Sequence, residues 1–301
     1  MKKTVQKIIY VIVIIGCFIY LNQNEIKRFY DHYIDNHKVE LKNLSKDEFF
    51  QIQFIDVGQG ESIFIENNKK YVLVDAGNNK DGNKLVKYFQ ELGIDSFQYV
   101  IGTHAHEDHI GGMDNIIRTF PINHYYMPSP TVDNMTYQGV IKALQDKNIK
   151  LETPNIDSTF QVENTKFQIL SITDDEEDLN NTSIILKVSY YNTTFLLMSD
   201  ATEEIERNLL EKDINSDVLK VSHHGSKYSS IAQFINKVHP KYAIIQVGKN
   251  NDYYFPHKVT LDKLERIGSK IYRTDLNGTI IITSNGNDLQ ISTKKTDTNQ
   301  E

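Results

Sequence analysis

Hydrophobic positions are distributed along this chain in three ways, and each predicts a different kind of structure. Over residues 8–21 they are nearly continuous, interrupted only by Tyr10, Gly16, Cys17 and Tyr20, with Lys2, Lys3 and Lys7 in front of them. The run is shorter than the roughly 20 residues of a full membrane span. It is nonetheless apolar on every face, and the preceding lysines predict a single-pass anchor in the cell membrane, N-terminus in the cytoplasm and the rest of the chain outside. No small-residue cleavage site follows, which favours an uncleaved signal anchor. Ile14-Ile15-Gly16-Cys17 also loosely resembles a lipoprotein signal with Cys17 as the attachment point. Either route makes the membrane a partner of the N-terminal segment. The chain then divides into residues 1–22 as cytoplasmic N-terminus and anchor, 23–48 as a polar stalk, 49–293 as a folded domain and 294–301 as a tail.

From residue 51 short apolar runs, bounded by Gly- and Asn-rich turns, alternate with helical spacing. Strands are predicted at 51–57, 62–65 and 71–74. Leu85, Val86, Phe89 and Leu92 give a helix over 84–92. There follow a strand ending at Thr103, a helix at 113–118, a strand at 124–127, a helix at 132–147 and a short strand at 149–151. The second half reads as strands at 160–162, 166–172, 184–188, 195–199, 218–222 and 242–247, with a helix at 203–210. A hairpin of 270–274 with 279–283, turning at Asn277-Gly278, is expected to close the second sheet, and 288–293 adds a last strand. The fold class is α/β.

One stretch interrupts this alternation with chemistry. Thr103-His104-Ala105-His106-Glu107-Asp108-His109-Ile110-Gly111-Gly112 follows an apolar strand and places three histidines and two carboxylates in six positions. Residues two apart on extended backbone point the same way, so His104 and His106 can reach one ion together. Asp108 and His109 follow where the chain turns and can face a second. Imidazole and carboxylate suit a transition metal, and two glycines let the backbone pass close to it and turn sharply. Two later apolar strands also end in candidate groups, one at Asp200 and one at His223 and His224. A carboxylate ending a buried strand needs a partner, and a metal is the best on offer. The lone cysteine, Cys17, excludes an internal disulfide framework and a cysteine-based zinc site. The formal net charge of -7 argues against broad affinity for nucleic acid unless a basic or metal-lined groove intervenes. The acidic run at 173–178 reads as a solvated loop.

His-x-His-x-Asp-His followed by Gly-Gly resembles the signature of the metallo-β-lactamase-like hydrolase superfamily. Phe54-Ile55-Asp56-Val57-Gly58-Gln59-Gly60-Glu61-Ser62, Val74-Asp75-Ala76-Gly77, Leu196-Leu197-Met198-Ser199-Asp200, Leu219-Lys220-Val221-Ser222-His223-His224-Gly225-Ser226 and Tyr272-Arg273-Thr274-Asp275 are similar, in order, to the soluble domain of the competence protein ComEC and its stand-alone relatives. The resemblance implies a four-layer αββα sandwich whose first strands form one edge, and two divalent metal ions, zinc or manganese. His104, His106 and Asn181, where many members carry a third histidine, would hold one ion. Asp108, His109 and His224 would hold the other, Asp200 would bridge, and Asp75 would buttress the loop. Register favours His224 over His223 as ligand and leaves the reverse open. Asp108 would orient a hydroxide shared by the two ions, and His223 and His257 are the candidates to protonate the leaving group. Relatives carry Gly-His-Pro followed by a further histidine; Phe255 replaces the first of these and His257 retains the second. Ser226 and Lys227 are expected near the mouth, suited to an anion. The implied activity is hydrolysis of a phosphodiester outside the membrane, either in a DNA strand or at a phosphorylated headgroup of an envelope polymer. The alternatives are a carbon-centred hydrolase of a lactam, lactone or thioester, and a metal-stabilised binding module without turnover.

Overall fold

Alternation of apolar side chains along short strands builds two sheets in the computed structural model, which describes residues 50–128, 132–175 and 177–295. The expected anchor at 8–21, Cys17 and the stalk at 23–48 lie outside the described residues. Among the described residues no helix is long and apolar enough to cross a membrane, and all of them belong to one unit, Glu48–Glu301.

In chain order the strands are β1 (Phe50–Phe54), β2 (Ile63–Asn67), β3 (Lys70–Val74), β4 (Phe97–Ile101), β5 (Ile122–Tyr126), β6 (Leu151–Glu152), β7 (Thr159–Val162), β8 (Thr165–Ser171), β9 (Ile185–Tyr190), β10 (Thr193–Leu197), β11 (Val218–Lys220), β12 (Tyr242–Ile245), β13 (Lys270–Arg273), β14 (Thr279–Ser284) and β15 (Leu289–Lys294). The helices are α1 (Gly82–Glu91), α2 (Glu107–Ile110), α3 (Met113–Thr119), α4 (Met135–Asp146), α5 (Glu203–Asn208), α6 (Ala232–Val238), α7 (Lys258–Arg266) and α8 (Thr274–Asn277). The eight-stranded sheet runs β15-β14-β1-β2-β3-β4-β5-β6, and the seven-stranded sheet runs β13-β12-β11-β10-β9-β8-β7.

The four layers follow from period-two patterning. Ile63, Ile65, Val72 and Val74 of the first sheet meet Leu186, Val188, Phe195 and Leu197 of the second in a core that contains no helix residue. Their neighbours Phe64, Leu73 and Val100 face the other way, against Leu85 and Phe89 of α1, Ile116 of α3 and Val140 of α4. Leu196, Leu219 and Ala243 likewise face Ile205, Phe234 and Leu264 of α5, α6 and α7. In each sheet one half is parallel: β3 to β6 in the first, β10 to β13 in the second. Ligands of α/β sheets gather beyond the carboxyl ends of such strands, and it is there that β3, β4, β10, β11 and β12 deliver Asp75, the histidine motif, Asp200, His223-His224 and Gln246.

Four expectations are corrected. The first strands do not form an edge, because β14 pairs with β1 and β15 with β14, leaving β15 outermost. The residues 270–283 are not a hairpin. β13 pairs with β12 in one sheet and β14 with β1 in the other, and α8 carries the chain across. Asn277 accepts the Arg273 N–H at 2.9 Å and Gly278, at φ 70°, returns its N–H to Thr274, so Asn-Gly ends a helical turn rather than making a two-residue loop. Helix α4 begins at Met135 because the Asn134 side chain accepts the Tyr137 N–H at 2.8 Å, capping it. The histidine motif also winds earlier than expected, α2 starting at Glu107. Gly111 and Gly112 serve close packing: a Cβ would stand 2.2 Å from the Asn79 nitrogen and 2.4 Å from the Ala76 oxygen, respectively.

Candidate metal centre

Asp75 follows β3 directly, is fully buried, and has φ 58°. Its carboxylate accepts the Thr103 N–H (2.8 Å), the Thr103 hydroxyl (2.7 Å) and Nδ1–H of His109 (2.7 Å). A carboxylate on Nδ1 fixes the tautomer, leaving the Nε2 lone pair free for a metal. That Nε2 stands 3.3 Å from Asp200 and 4.0 Å from Asp108. After β11 the chain enters a tight turn in which both His223 (φ 48°) and His224 (φ 52°) are left-handed, a conformation disfavoured for such residues and concentrated at functional sites. His224 donates Nδ1–H to the Gln246 carbonyl at 2.8 Å and aims Nε2 at Asp108 (3.3 Å) and Asp200 (3.5 Å).

The ligand atoms of Asp108, His109, Asp200 and His224 all lie within 4.8 Å of one another. Nε2 of His109, Nε2 of His224 and Oδ1 of Asp200 are buried with no hydrogen-bond partner. Buried polar atoms are nearly always paired, and two ring nitrogens that converge on Oδ2 of Asp200 and Oδ2 of Asp108 fit a cation. The charge states agree. Burial would push His109 and His224 down, but Asp200 and its neighbouring carboxylates outweigh it, lifting His109 well above the usual range and His224 to about 9. Burial works to raise Asp108 and Asp200, yet the facing imidazoles hold both well below the ordinary carboxylate range. The cluster therefore gathers positive charge, and a divalent ion replaces protons on such ligands.

His104 and His106 form an adjacent pair, Nε2 to Nδ1 at 3.0 Å, a separation that a hydrogen bond or a shared ion would give. The His104 ring lies 4.1 Å from the His109 ring. Burial keeps its pKa well below the usual value, so it is neutral and able to ligate. Asn181 is engaged elsewhere at both ends of its amide. Its Oδ1 accepts the Thr202 hydroxyl at 2.5 Å and its Nδ2 donates to Asp175 at 2.9 Å. Oδ1 of Asn180, one residue earlier, is the buried oxygen without a partner. His223 lies at the rim, a quarter exposed, with Nε2 3.7 Å from Asp200 and Nδ1 buried and unpartnered. His257 accepts the Lys227 N–H on Nδ1 at 3.2 Å, and no ion pair joins it to the carboxylates among the described residues. Lys227 is exposed, its ammonium over the Tyr228 ring, whereas Ser226, expected at the mouth, is fully buried.

Two buried carboxylates escaped the sequence reading. Glu61, in the turn before β2, pairs with Lys220 of β11, both without solvent exposure. The pair joins the sheets beneath the centre: Glu61 donates its backbone N–H to the Asp108 carbonyl, and the Lys220 ammonium donates to the Ser199 carbonyl at 3.1 Å. The available signal was a lysine inside the apolar run Val218-Leu219-Lys220-Val221. Glu206 of α5, pushed up to about 7 by burial, accepts from the Ser222 hydroxyl (2.6 Å) and from the N–H groups of Ser230 and Ile231 (2.7 and 2.8 Å), bracing the His223-His224 turn.

Residues 55–249 match the model of the metallo-beta-lactamase superfamily. The chain is 31% identical over 251 residues to ComE operon protein 3 of Bacillus subtilis, covering 76% of this chain and 32% of that protein. It is 29% identical over 261 residues to Recombination protein 2 of Haemophilus influenzae (85% and 31%) and 26% identical over 230 residues to Competence protein ComA of Neisseria gonorrhoeae (75% and 31%). It thus spans about a third of the length of these relatives. Among solved structures the fold is shared with the metallo-beta-lactamase fold protein YhfI of Bacillus subtilis (TM-score 0.55, 12% identity, 78% of this chain and 100% of that one). It is shared too with CmlA, a diiron beta-hydroxylase of Streptomyces venezuelae (TM-score 0.54, 12% identity, 79% and 54%). With its histidine motif and strand-end carboxylates gathered at the carboxyl edge of both sheets, the chain belongs to the metallo-beta-lactamase superfamily and is similar there to competence-related proteins.

Proposed function

We propose that this chain is a metal-dependent phosphodiesterase, tethered to the membrane by residues 8–21, with DNA as a candidate substrate. One observation carries the reading: the buried, unpartnered Nε2 atoms of His109 and His224 converge on Oδ2 of Asp200 beside Asp108. Asp108, His109, Asp200 and His224 would hold one divalent ion, and His104 with His106 a neighbouring one, zinc or manganese suiting both donor sets. Divalent ions so held act as Lewis acids and lower the pKa of water.

The side chains supply orientation and proton handling. Asp108 is the one carboxylate of the cluster with appreciable exposure, 29% of its side chain against 4% for Asp200, so it can accept a hydrogen bond from water approaching at the mouth and orient it. His223, beside it at the rim, is placed to hydrogen-bond the leaving oxygen. With Nδ1 accepting the Lys227 N–H, His257 carries its proton on Nε2 and keeps it for donation. The names of the relatives, competence and recombination proteins, support DNA as the phosphodiester. The binding-module reading keeps one observation in its favour, the engagement of Asn181 at both ends, which leaves the second ion only two histidines.

The test is cleavage of bis(p-nitrophenyl) phosphate and of single-stranded DNA with added Mn²⁺ or Zn²⁺, beside the variant Asp108→Asn/His109→Ala. Metal-dependent cleavage that the variant lacks supports the phosphodiesterase. Bound metal with neither substrate cleaved contradicts it and favours the binding module, or carbon-centred hydrolysis where a lactone or thioester is turned over.

A further inference from the structure

The Phe255 ring stands among three histidines. It lies 5.6 Å from the His223 ring, 5.3 Å from the His257 ring and 6.2 Å from the His224 ring, inclined to the last by only 27°. Tyr253 stacks on Phe255 in turn, at 5.3 Å and 17°. His224, Phe255 and Tyr253 thus form a series of near-parallel rings leading from a candidate metal ligand to solvent, where Tyr253 is 62% exposed.

The loop that carries them is built, not loose. Asn251 donates to the Gly248 carbonyl (3.0 Å) and the Phe255 carbonyl (2.8 Å) and accepts the Phe255 N–H (2.9 Å), closing its neck. Gly248 packs so closely on Gln59 that a Cβ there would stand 2.5 Å from the Gln59 nitrogen. Gly60, next along, packs in the same way on the Asp108 carbonyl. The loop is therefore seated beside the turn that supports Asp108. A second exposed ring, Tyr228, lies under the Lys227 ammonium at 5.0 Å, and the Lys227 N–H is fastened to His257. Single exposed aromatics are ordinary; rings stacked in register on a ligand histidine are not accounted for by folding.

We propose that Tyr253, backed by Phe255 and linked through the Phe255–His257 contact to the segment that carries Lys227, is a stacking subsite for a planar ring carried next to the scissile phosphodiester, namely the base of an unpaired nucleotide. Lys249 and Asp252 leave the loop itself neutral, so the ring face rather than charge does the recognising, with Lys227 as the cation for a flanking phosphate. Aromatic platforms bind bases of any sequence because every base has a π-face, and a base already stacked in a duplex does not offer that face. The inference rests on the phosphodiesterase reading for where the scissile group sits.

The experiment compares, by calorimetry on the full chain, binding of thymidine 5′-monophosphate and of 2-deoxyribose 5-phosphate to wild type, Tyr253→Ala and Tyr253→Phe, with hydrolysis of bis(p-nitrophenyl) phosphate measured in parallel. The nucleotide is expected to bind wild type about tenfold more tightly than the ring-free phosphate, about what one stacked base contributes. Tyr253→Ala should abolish that preference and Tyr253→Phe keep it. Equal binding of the two ligands, no binding of either, or a preference that survives in Tyr253→Ala overturns the subsite. A tyrosine-dependent preference without any hydrolysis leaves the subsite standing and overturns the phosphodiesterase.

Discussion

Replacing Lys220 by methionine removes one buried cation while keeping most of its aliphatic stem. In the native chain Lys220 and Glu61 are fully buried, and the ammonium also holds the Ser199 carbonyl next to Asp200. The variant leaves Glu61 without its counter-ion, within reach of Asp75 and His109. Removing one partner of a buried pair costs about 3–5 kcal/mol, whereas replacing both by apolar groups is often neutral. Urea unfolding should therefore place Lys220→Met about 3–5 kcal/mol below wild type at pH 7, and Lys220→Met/Glu61→Leu much nearer to it. Burial already raises the Glu61 carboxyl above its ordinary range, opposed chiefly by Lys220. With Lys220 gone it rises further. A carboxyl raised in the folded state contributes stability at low pH that is lost as pH rises, so the deficit of Lys220→Met should be smaller at pH 5 than at pH 7. A loss under about 1 kcal/mol, or a double variant as unstable as the single, would refute the reasoning.

Other consequences follow from the same geometry. Asp75→Asn takes the carboxylate from Nδ1 of His109 and should weaken metal binding about 10- to 100-fold, read by competition with a chelator. Asn181→Ala loses bonds to Thr202 and Asp175, so unfolding should show about 1–2 kcal/mol lost while metal affinity stays unchanged; a large fall in affinity would return Asn181 to the ligands. Glu206, raised by burial from 4.5 to about 7, makes wild type lose stability as pH rises across that window. Glu206→Gln should flatten this pH dependence, and by setting its NH2 against one of the Ser230 and Ile231 N–H groups should cost about 1–3 kcal/mol at pH 4.5.

The parts of the structure that were legible in the sequence are those encoded locally. Alternation marked β2, β3 and β10, and the spacing of Leu85 and Phe89 marked α1. The grouping of His104 with His106 and of Asp108 with His109 follows from positions two and one apart. Long-range relations were not legible. Asn277-Gly278 has the composition of a hairpin turn, but Thr274 fastens the start of α8 to Val247, which lets α8 pass between sheets. The acidic run at 173–178 looked merely solvated, yet Asp175 accepts the Asn181 amide N–H and so fixes the orientation of that side chain. Glu61 and Lys220 meet only because two sheets stack, and neither neighbourhood names the other.

The central claim is that Asp108, His109, Asp200 and His224 hold a divalent ion, and it is tested most directly by titrating Zn²⁺ into chelator-stripped wild type and Asp200→Ala by calorimetry, with circular dichroism as a check on folding. Tight binding to wild type and its loss in a folded Asp200→Ala are expected. Binding of equal strength and stoichiometry in both proteins, or none in wild type, would contradict it.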